Sequence, residues 1–306
     1  MVSFITKDLF KTFIPENVRN EMNDVESAES SLNFFFNHEE PEEEKLIEHK
    51  HLHSLIQQTK SLHLDQLNEK LYLNVDELKV EFEKLGLTTK SVLNESGIKI
   101  HDFLSVKKFH EVTICSELVA AMADPEKHLI IDIGDGKGYL SSRLALEYKF
   151  SVLGIDGNPS NTERATKRNE KLKKNWKGIV NREAGKNNVK IENEFSINSS
   201  NYKTVSEMIY ENSELGPLVT EMFGDADANK AYLLTGLHTC GNLTPSMLKL
   251  FIKNKKIKSI FNVGCCPNLM TEEFEHEKPN PSGCFPMSAY LKDKVSDFHF
   301  KAINCD

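Results

Sequence analysis

Residues 128–139 read HLIIDIGDGKGY: a short apolar run that ends in an acid and passes at once into three alternating glycines. This order restricts the fold more than any other feature of the chain. A continuous apolar run predicts a strand buried on both faces, as in a parallel sheet covered by helices. Glycines at 134, 136 and 138 permit the left-handed backbone of a tight strand-to-helix turn, and they let main chain approach a ligand closely. The following YLSSRLALEY predicts a helix whose first amides point back at that turn. A dinucleotide fingerprint, GxGxxG, needs its third glycine at position 139. Tyr139 stands there, which argues against pyrophosphate binding and against a nicotinamide oxidoreductase.

The rest of the chain extends the pattern. SVLGID (151–156), AYLLTGL (231–237) and IKSIFNVG (257–264) predict further strands, and another is expected near 189–195. Helices are expected over 104–123, 161–174 and 243–253. Strands alternating with helices predict an α/β fold with a mostly parallel, Rossmann-like sheet. The upstream texture differs. Residues 1–22 predict an amphipathic helix broken at Pro15, and 45–85 a helical region with leucines at helical spacing. Residues 23–44, rich in Asp, Glu and Ser, are expected to form a solvated linker in which the LNFFF cluster must still pack. The expected division is a helical, acidic extension over 1–100 and a Rossmann-like domain over 101–306, with an insertion near 175–230.

Asp156 ends the second predicted strand. About 20 residues beyond a glycine loop, such a carboxylate accepts from both hydroxyls of a ribose. Either feature alone is weak; on successive strands they predict a cofactor site. The pattern DxGxGxG resembles motif I of the class I S-adenosylmethionine-dependent methyltransferases. The resemblance implies S-adenosyl-L-methionine as cofactor. Gly134, Gly136 and Gly138 would pack against its methionine part, Asp132 would help hold its ammonium, and Asp156 would hold its ribose.

The last two predicted strands end in LHTCGNL (237–243) and NVGCC (262–266). Ligands bind at strand C-termini in open α/β sheets, so His238, Cys240, Cys265 and Cys266 are expected together. Three readings stay open: residues packed on a substrate or taking part in catalysis, a metal site, or buried cysteines behaving as small apolar groups. Adjacent cysteines share one ion poorly and the spacing matches no usual zinc pattern, so no metal is expected. A free imidazole titrates near neutrality, which makes His238 a catalytic candidate, and Cys240 is the other.

LHTCGNL, NVGCC and the later FPMS (285–288) resemble the methyltransferase-like protein 25 family, which includes proteins named for a ribosomal RNA adenine dimethylase domain. SVKKFHEV (105–112) is similar to the family's segment before motif I, and DLFKTFIPENV (8–18) to its opening helix. An LHxCG motif followed by a CC pair is also similar to one family of tRNA ribose methyltransferases, which implies RNA as the acceptor. The Asn/Asp-Pro-Pro-aromatic motif of adenine N6 methylation is replaced here by HTCG, so adenine dimethylation is not implied. The chain departs from the family at Pro267, where Tyr is common, and at Asp135, where Ser or Ala is usual. The Asp135 charge would either oppose a cofactor carboxylate or turn to water. A class I sheet needs two more strands after the fifth, and only FHFKAIN (298–304) reads as one, so the sheet is expected to be incomplete at the C-terminus.

Charge bears on partners. The net charge of −8 gives no global footprint for nucleic acid. Arg164, Lys167, Arg168, Lys171, Lys173 and Lys174 nevertheless form a basic run that would contact RNA, with Trp176 beside it as a base-stacking surface. A protein partner would dock on the acidic N-terminal region. Protein methylation, or a catalytically inactive methyltransferase-fold binding module, is the alternative function. No apolar run approaches a membrane span, the N-terminus lacks the apolar core of a signal peptide, and six cysteines read as reduced thiols. A cytoplasmic or nuclear protein with no membrane partner is the expectation.

Overall fold

The structure is a computed structural model that describes residues 11, 14–36, 43–61, 73–87, 104–186, 201–273 and 283–293. It divides into two compact units, Met1–Leu78 and Lys79–Asp306. Among the described residues, no helix is long and apolar enough to cross a membrane.

In the first unit, short helices α1 (Glu16–Asn20), α2 (Val25–Phe36), α3 (Glu43–Glu48) and α4 (Lys50–Ser61) gather around Val18, Phe34, Leu52 and Ile56. Helix α2 corrects the expectation of a linker. Asp24 and Ser27 cap it reciprocally: Ser27 N–H donates to Asp24 Oδ1 at 2.8 Å, and Asp24 N–H donates to Ser27 Oγ at 3.1 Å. The charges that suggest a solvated loop lie on its outer face, while Phe34 of LNFFF enters the core and Phe36 stays exposed. Leu62, Leu64 and Leu67 lie outside the described residues. Helix α5 (Val75–Lys84) spans the boundary between the units.

The second unit is built on five parallel strands: β1 (His128–Ile133), β2 (Ser151–Asp156), β3 (Tyr202–Ser206), β4 (Ala231–Leu237) and β5 (Ile257–Val263), in the order β3-β2-β1-β4-β5. Alternation along the strands sets the two faces. Leu129, Ile131, Ile133, Leu153, Ile155 and Leu234 point to one side, where α9 (Leu215–Phe223) and α11 (Leu243–Lys253) cover them. Ile130, Val152 and Leu233 point to the other, beneath α6 (Val106–Ala121), α7 (Tyr139–Leu146) and α8 (Pro159–Lys186). A short α10 (Asp225–Ala228) leads into β4. The chain thus forms a Rossmann-like α/β fold with both sheet faces covered, which is why β1, β2 and β4 read as continuous apolar runs.

Three details differ from the sequence reading. The third strand is Tyr202–Ser206, YKTVS, an edge strand too short and polar to stand out; residues 189–195 lie outside the described set. Helix α8 runs on to Lys186 because Leu172, Trp176 and Ile179 continue its buried face. Trp176 is therefore core rather than a surface for stacking bases. FHFKAIN lies outside the described residues.

Candidate active site

Strand order reverses between β1 and β4, and crevices at the C-terminal ends of strands flanking such a point take ligands. The glycine loop leaves β1 there. Gly134, Gly136 and Gly138 all have positive φ, at 79°, 59° and 68°. The turn is held on β2, since Gly134 N–H and Asp135 N–H both donate to Ile155 O, at 2.8 and 3.2 Å.

Asp156 fastens the loop from the other side. Its Oδ2 accepts from Gly136 N–H at 2.9 Å, and its Oδ1 accepts from Asn158 N–H at 2.8 Å and Asn161 Nδ2 at 3.1 Å. A cleft of about 340 Å³ opens beside these residues, lined by Asp132, Gly134, Gly136, Asp156, Lys108, Glu111 and His238. It adjoins a larger cleft of about 1070 Å³ lined by Gly157, Met208, Ile209, Cys240, Asn242 and Cys284. Gly134, Asp156 and His238 line both. All the residues assigned to the cofactor by sequence thus converge, except that Gly138 serves the turn itself. An added Cβ at Gly138 would strike the Tyr202 hydroxyl.

Asp132 is buried and accepts a hydrogen bond from Ser141 Oγ at 2.8 Å. Burial, and then the neighbouring charge of Asp135, lift its carboxyl well above the usual carboxylate range. Asp135 is buried as well, which corrects the expectation that it turns to water. It does not turn to water but inward, where the Tyr202 hydroxyl donates to its Oδ2 and Gly154 leaves space above β2. Burial raises Asp135 too, against the opposing donation from Tyr202. The loop therefore holds two carboxyls that resist ionising together, a state that an arriving cation relieves.

Asp132→Asn follows as a two-sided test. A carboxyl whose folded pKa is raised destabilises the fold as pH rises from the ordinary carboxylate range toward the raised value. The amide lacks that charge. It is expected to raise the melting temperature at pH 8 while weakening a cationic ligand by about tenfold to a hundredfold, the worth of a charge-assisted hydrogen bond. In the unsubstituted chain, affinity for such a ligand should rise with pH, because the anion binds it. A lower melting temperature with unchanged affinity, by calorimetry and thermal unfolding, would refute the assignment.

His238 stands at the end of β4 with φ 69°, a left-handed backbone uncommon outside glycine. Its Nε2 lies 3.2 Å from Glu111 Oε2 of α6, so a carboxylate orients the imidazole at the cleft wall. Cys240 follows in the next turn. His238 N–H and Thr239 N–H donate to Val263 O at 2.9 and 3.3 Å, zipping the ends of β4 and β5 together. Thr239, Thr244 and Asn262 close a hydrogen-bonded network behind this turn. The Sγ of Cys240 thereby lies 2.8 Å from that of Cys265 and 3.5 Å from that of Cys266. Hydrogen bonding with the Cys240 thiol and then with that of Cys266 pushes the Cys265 thiol up to about 12. FPMS follows Cys284, whose N–H donates to Thr271 O at 2.8 Å beside the larger cleft.

Sequence reasoning missed Glu111, Asn161 and Tyr202. Glu111 lies in SVKKFHEV, where only family likeness marked the segment. Tyr202 reaches Asp135 solely through the β2–β3 pairing, Val152 opposite Tyr202.

A family profile described as "Methyltransferase domain" matches residues 107–273, the stretch that carries α6, the glycine loop, Asp156 and both strand ends. The chain belongs to that methyltransferase family. It is 26% identical over 309 residues to "Probable methyltransferase-like protein 25" of Mus musculus, across 65% of this chain and 51% of that one. To the Homo sapiens protein of the same name it is 28% identical over 319 residues, across 70% and 53%. The resemblance read from LHTCGNL, NVGCC and FPMS is borne out, and the chain spans about half the length of the curated relatives it matches.

Proposed function

We propose that this chain is an S-adenosyl-L-methionine-dependent methyltransferase whose acceptor is RNA. One observation carries the cofactor reading. Asp156, tied to the glycine loop, and the buried Asp132 line one cleft whose far wall is His238. The residues suit the group. Asp156 Oδ2 has capacity for ribose hydroxyls beyond the Gly136 bond, Met208 and Ile209 offer apolar contact to an aromatic base, and Asp132 offers an anion to an ammonium. Gly134 and Gly136 let main chain approach closely. The cofactor, when bound, supplies an electrophilic methyl group on a sulfonium. The chain's own task is then positioning, which carries much of the catalysis in transfers of this kind. His238, oriented by Glu111, is placed to accept a proton from an acceptor hydroxyl or amine, and Cys240 lines the wall beside it.

RNA is supported by the exposed Arg164, Lys167, Lys171 and Lys174 of α8, a helix whose start places Asn161 in the cleft lining. Arg168 belongs to this run in sequence but is half buried, its guanidinium 4.4 Å from the centre of the Tyr139 ring, and Lys173 is also half buried. Lys167 pairs with Glu163 at 2.5 Å. The likeness of LHTCG and the CC pair to tRNA ribose methyltransferases points the same way. The test is transfer of tritiated methyl from labelled cofactor into fractionated RNA and protein of a cell extract. Incorporation into RNA, lost in Asp132→Asn, is expected. Label confined to protein would replace the acceptor, and no label in either fraction would leave a binding module.

A further inference from the structure

Cys240, Cys265 and Cys266 are 25 residues or more apart in sequence for two of their three pairs, yet their sulfurs form one triangle. The edges are 2.8, 3.5 and 3.4 Å. Backbone pairing makes it. The zipped ends of β4 and β5 put the two turns side by side, and Gly241 N–H donates to Cys266 O at 3.3 Å. Adjacent cysteines were the objection to a metal here, but Cys265 and Cys266 present sulfurs on the same side as Cys240. Nor is the cluster apolar core, for Cys240 and Cys265 are exposed and Cys266 is half buried.

We propose that these three thiols bind a thiophilic divalent cation, Zn²⁺. A tetrahedral ion with Zn–S bonds of about 2.3 Å sets its sulfurs about 3.8 Å apart. The triangle reaches this by opening no edge more than about 1 Å. Among the described residues, no further His, Cys, Asp or Glu ligand atom joins the group. Three protein ligands leave the fourth position to water or to an acceptor atom, the arrangement of catalytic rather than structural zinc. Cys240 lines the larger cleft, so that position adjoins the proposed transfer site. An acceptor atom ligated there would be held as its anion at neutral pH.

The experiment uses the full chain, purified without chelator under reducing conditions. Elemental analysis is expected to find Zn²⁺ bound in equal molar amount. After its removal, Co²⁺ is expected to give the visible bands of a tetrahedral ion and thiolate charge-transfer absorption from three sulfurs. A small thiol added as probe should shift the bands by entering the fourth position. Cys240→Ser and Cys265→Ser are expected to lose the metal, while Cys115→Ser and Cys284→Ser keep it. Fully reduced chain that takes up no Co²⁺, retention of metal by both Cys240→Ser and Cys265→Ser, or its loss in Cys284→Ser would each overturn the inference. The wild-type cobalt spectrum reports thiolate ligation by itself, so a serine variant that fails to fold leaves the test intact. Titration of S-adenosylmethionine into the same samples separates the two readings. Cofactor bound by a chain with no metal affinity defeats the metal site alone, and metal bound without cofactor affinity defeats the proposed cofactor alone.

Discussion

Asp156→Ala is expected to weaken S-adenosylmethionine binding by about a hundredfold to a thousandfold. Two ribose hydroxyls donating to one carboxylate contribute about 1.5–3 kcal/mol each when the acceptor is charged. Because water partly takes the place of the carboxylate, the loss of both falls toward the low end of their sum, about 3–4 kcal/mol, which corresponds to two to three decades at about 1.4 kcal/mol per decade. The substitution also removes the acceptor of Gly136 N–H, Asn158 N–H and Asn161, so the loop loses one tie to β2 and keeps those of Gly134 N–H and Asp135 N–H to Ile155 O. Those groups lie where water can replace the carboxylate, and the stability cost should therefore stay near 1 kcal/mol. Asp156→Asn tests the same atom with its size kept, since its amide nitrogen would face N–H donors. Isothermal titration reads the affinity, and thermal unfolding confirms that the domain persists. An affinity within threefold of the unsubstituted chain would place the ribose elsewhere.

That this acid could be picked out from sequence has a physical basis. β2 is buried on both faces, so it is a continuous apolar run, and the residue ending it, the half-buried Asp156, is the one that reaches the cleft. Edge strand β3 has no such mark. YKTVS is partly exposed, its register comes from β2, and its one buried aromatic acts on a residue 67 positions away. Asp135 was unreadable for the same reason, since what decides its direction is the empty space over Gly154 and the Tyr202 hydroxyl. In the first unit the error ran the other way. A count of acidic residues favoured a linker over 23–44, whereas the Asp24–Ser27 cap and Phe34 at the end of a helical face outweighed it. Trp176 looked available because lysines surround it in sequence, but its position on α8 puts it with Leu172 and Ile179 on the buried side. Cys240 and the Cys265–Cys266 pair were expected near one another, yet their triangle depends on where β4 and β5 end, which spacing does not encode.

Arg143→Met is expected to destabilise the second unit by about 3–5 kcal/mol at pH 8, the usual cost of leaving a buried charge without its partner. The side chains of Arg143 and Glu147 on α7 are 7% and 5% exposed, and Arg143 Nε donates to Glu147 Oε2 at 2.7 Å. The guanidinium also donates to Thr113 Oγ1 and lies over the Phe109 ring, so it joins α7 to α6 just behind the glycine loop. Burial lifts the Glu147 carboxyl from its ordinary value to about 7 even against the attraction of Arg143. The sign follows: between about 4.5 and 7 the folded chain holds a proton that the unfolded chain has lost, so stability falls as pH rises across that window. Without Arg143 the carboxyl protonates more readily still, and the cost of the substitution should shrink markedly at pH 5.5. Replacing both residues, Arg143→Met with Glu147→Met, removes the charge and its partner together. The double variant is expected within about 1 kcal/mol of the unsubstituted chain, or above it, with that pH slope gone. Urea unfolding at the two pH values measures all of this. For a domain with about 5–15 kcal/mol in total, the single variant should unfold at visibly lower urea. A single-variant cost below 1 kcal/mol at pH 8, or equal losses in single and double variants, would mean that the pair is solvated and that α6 is held to α7 by its apolar contacts alone.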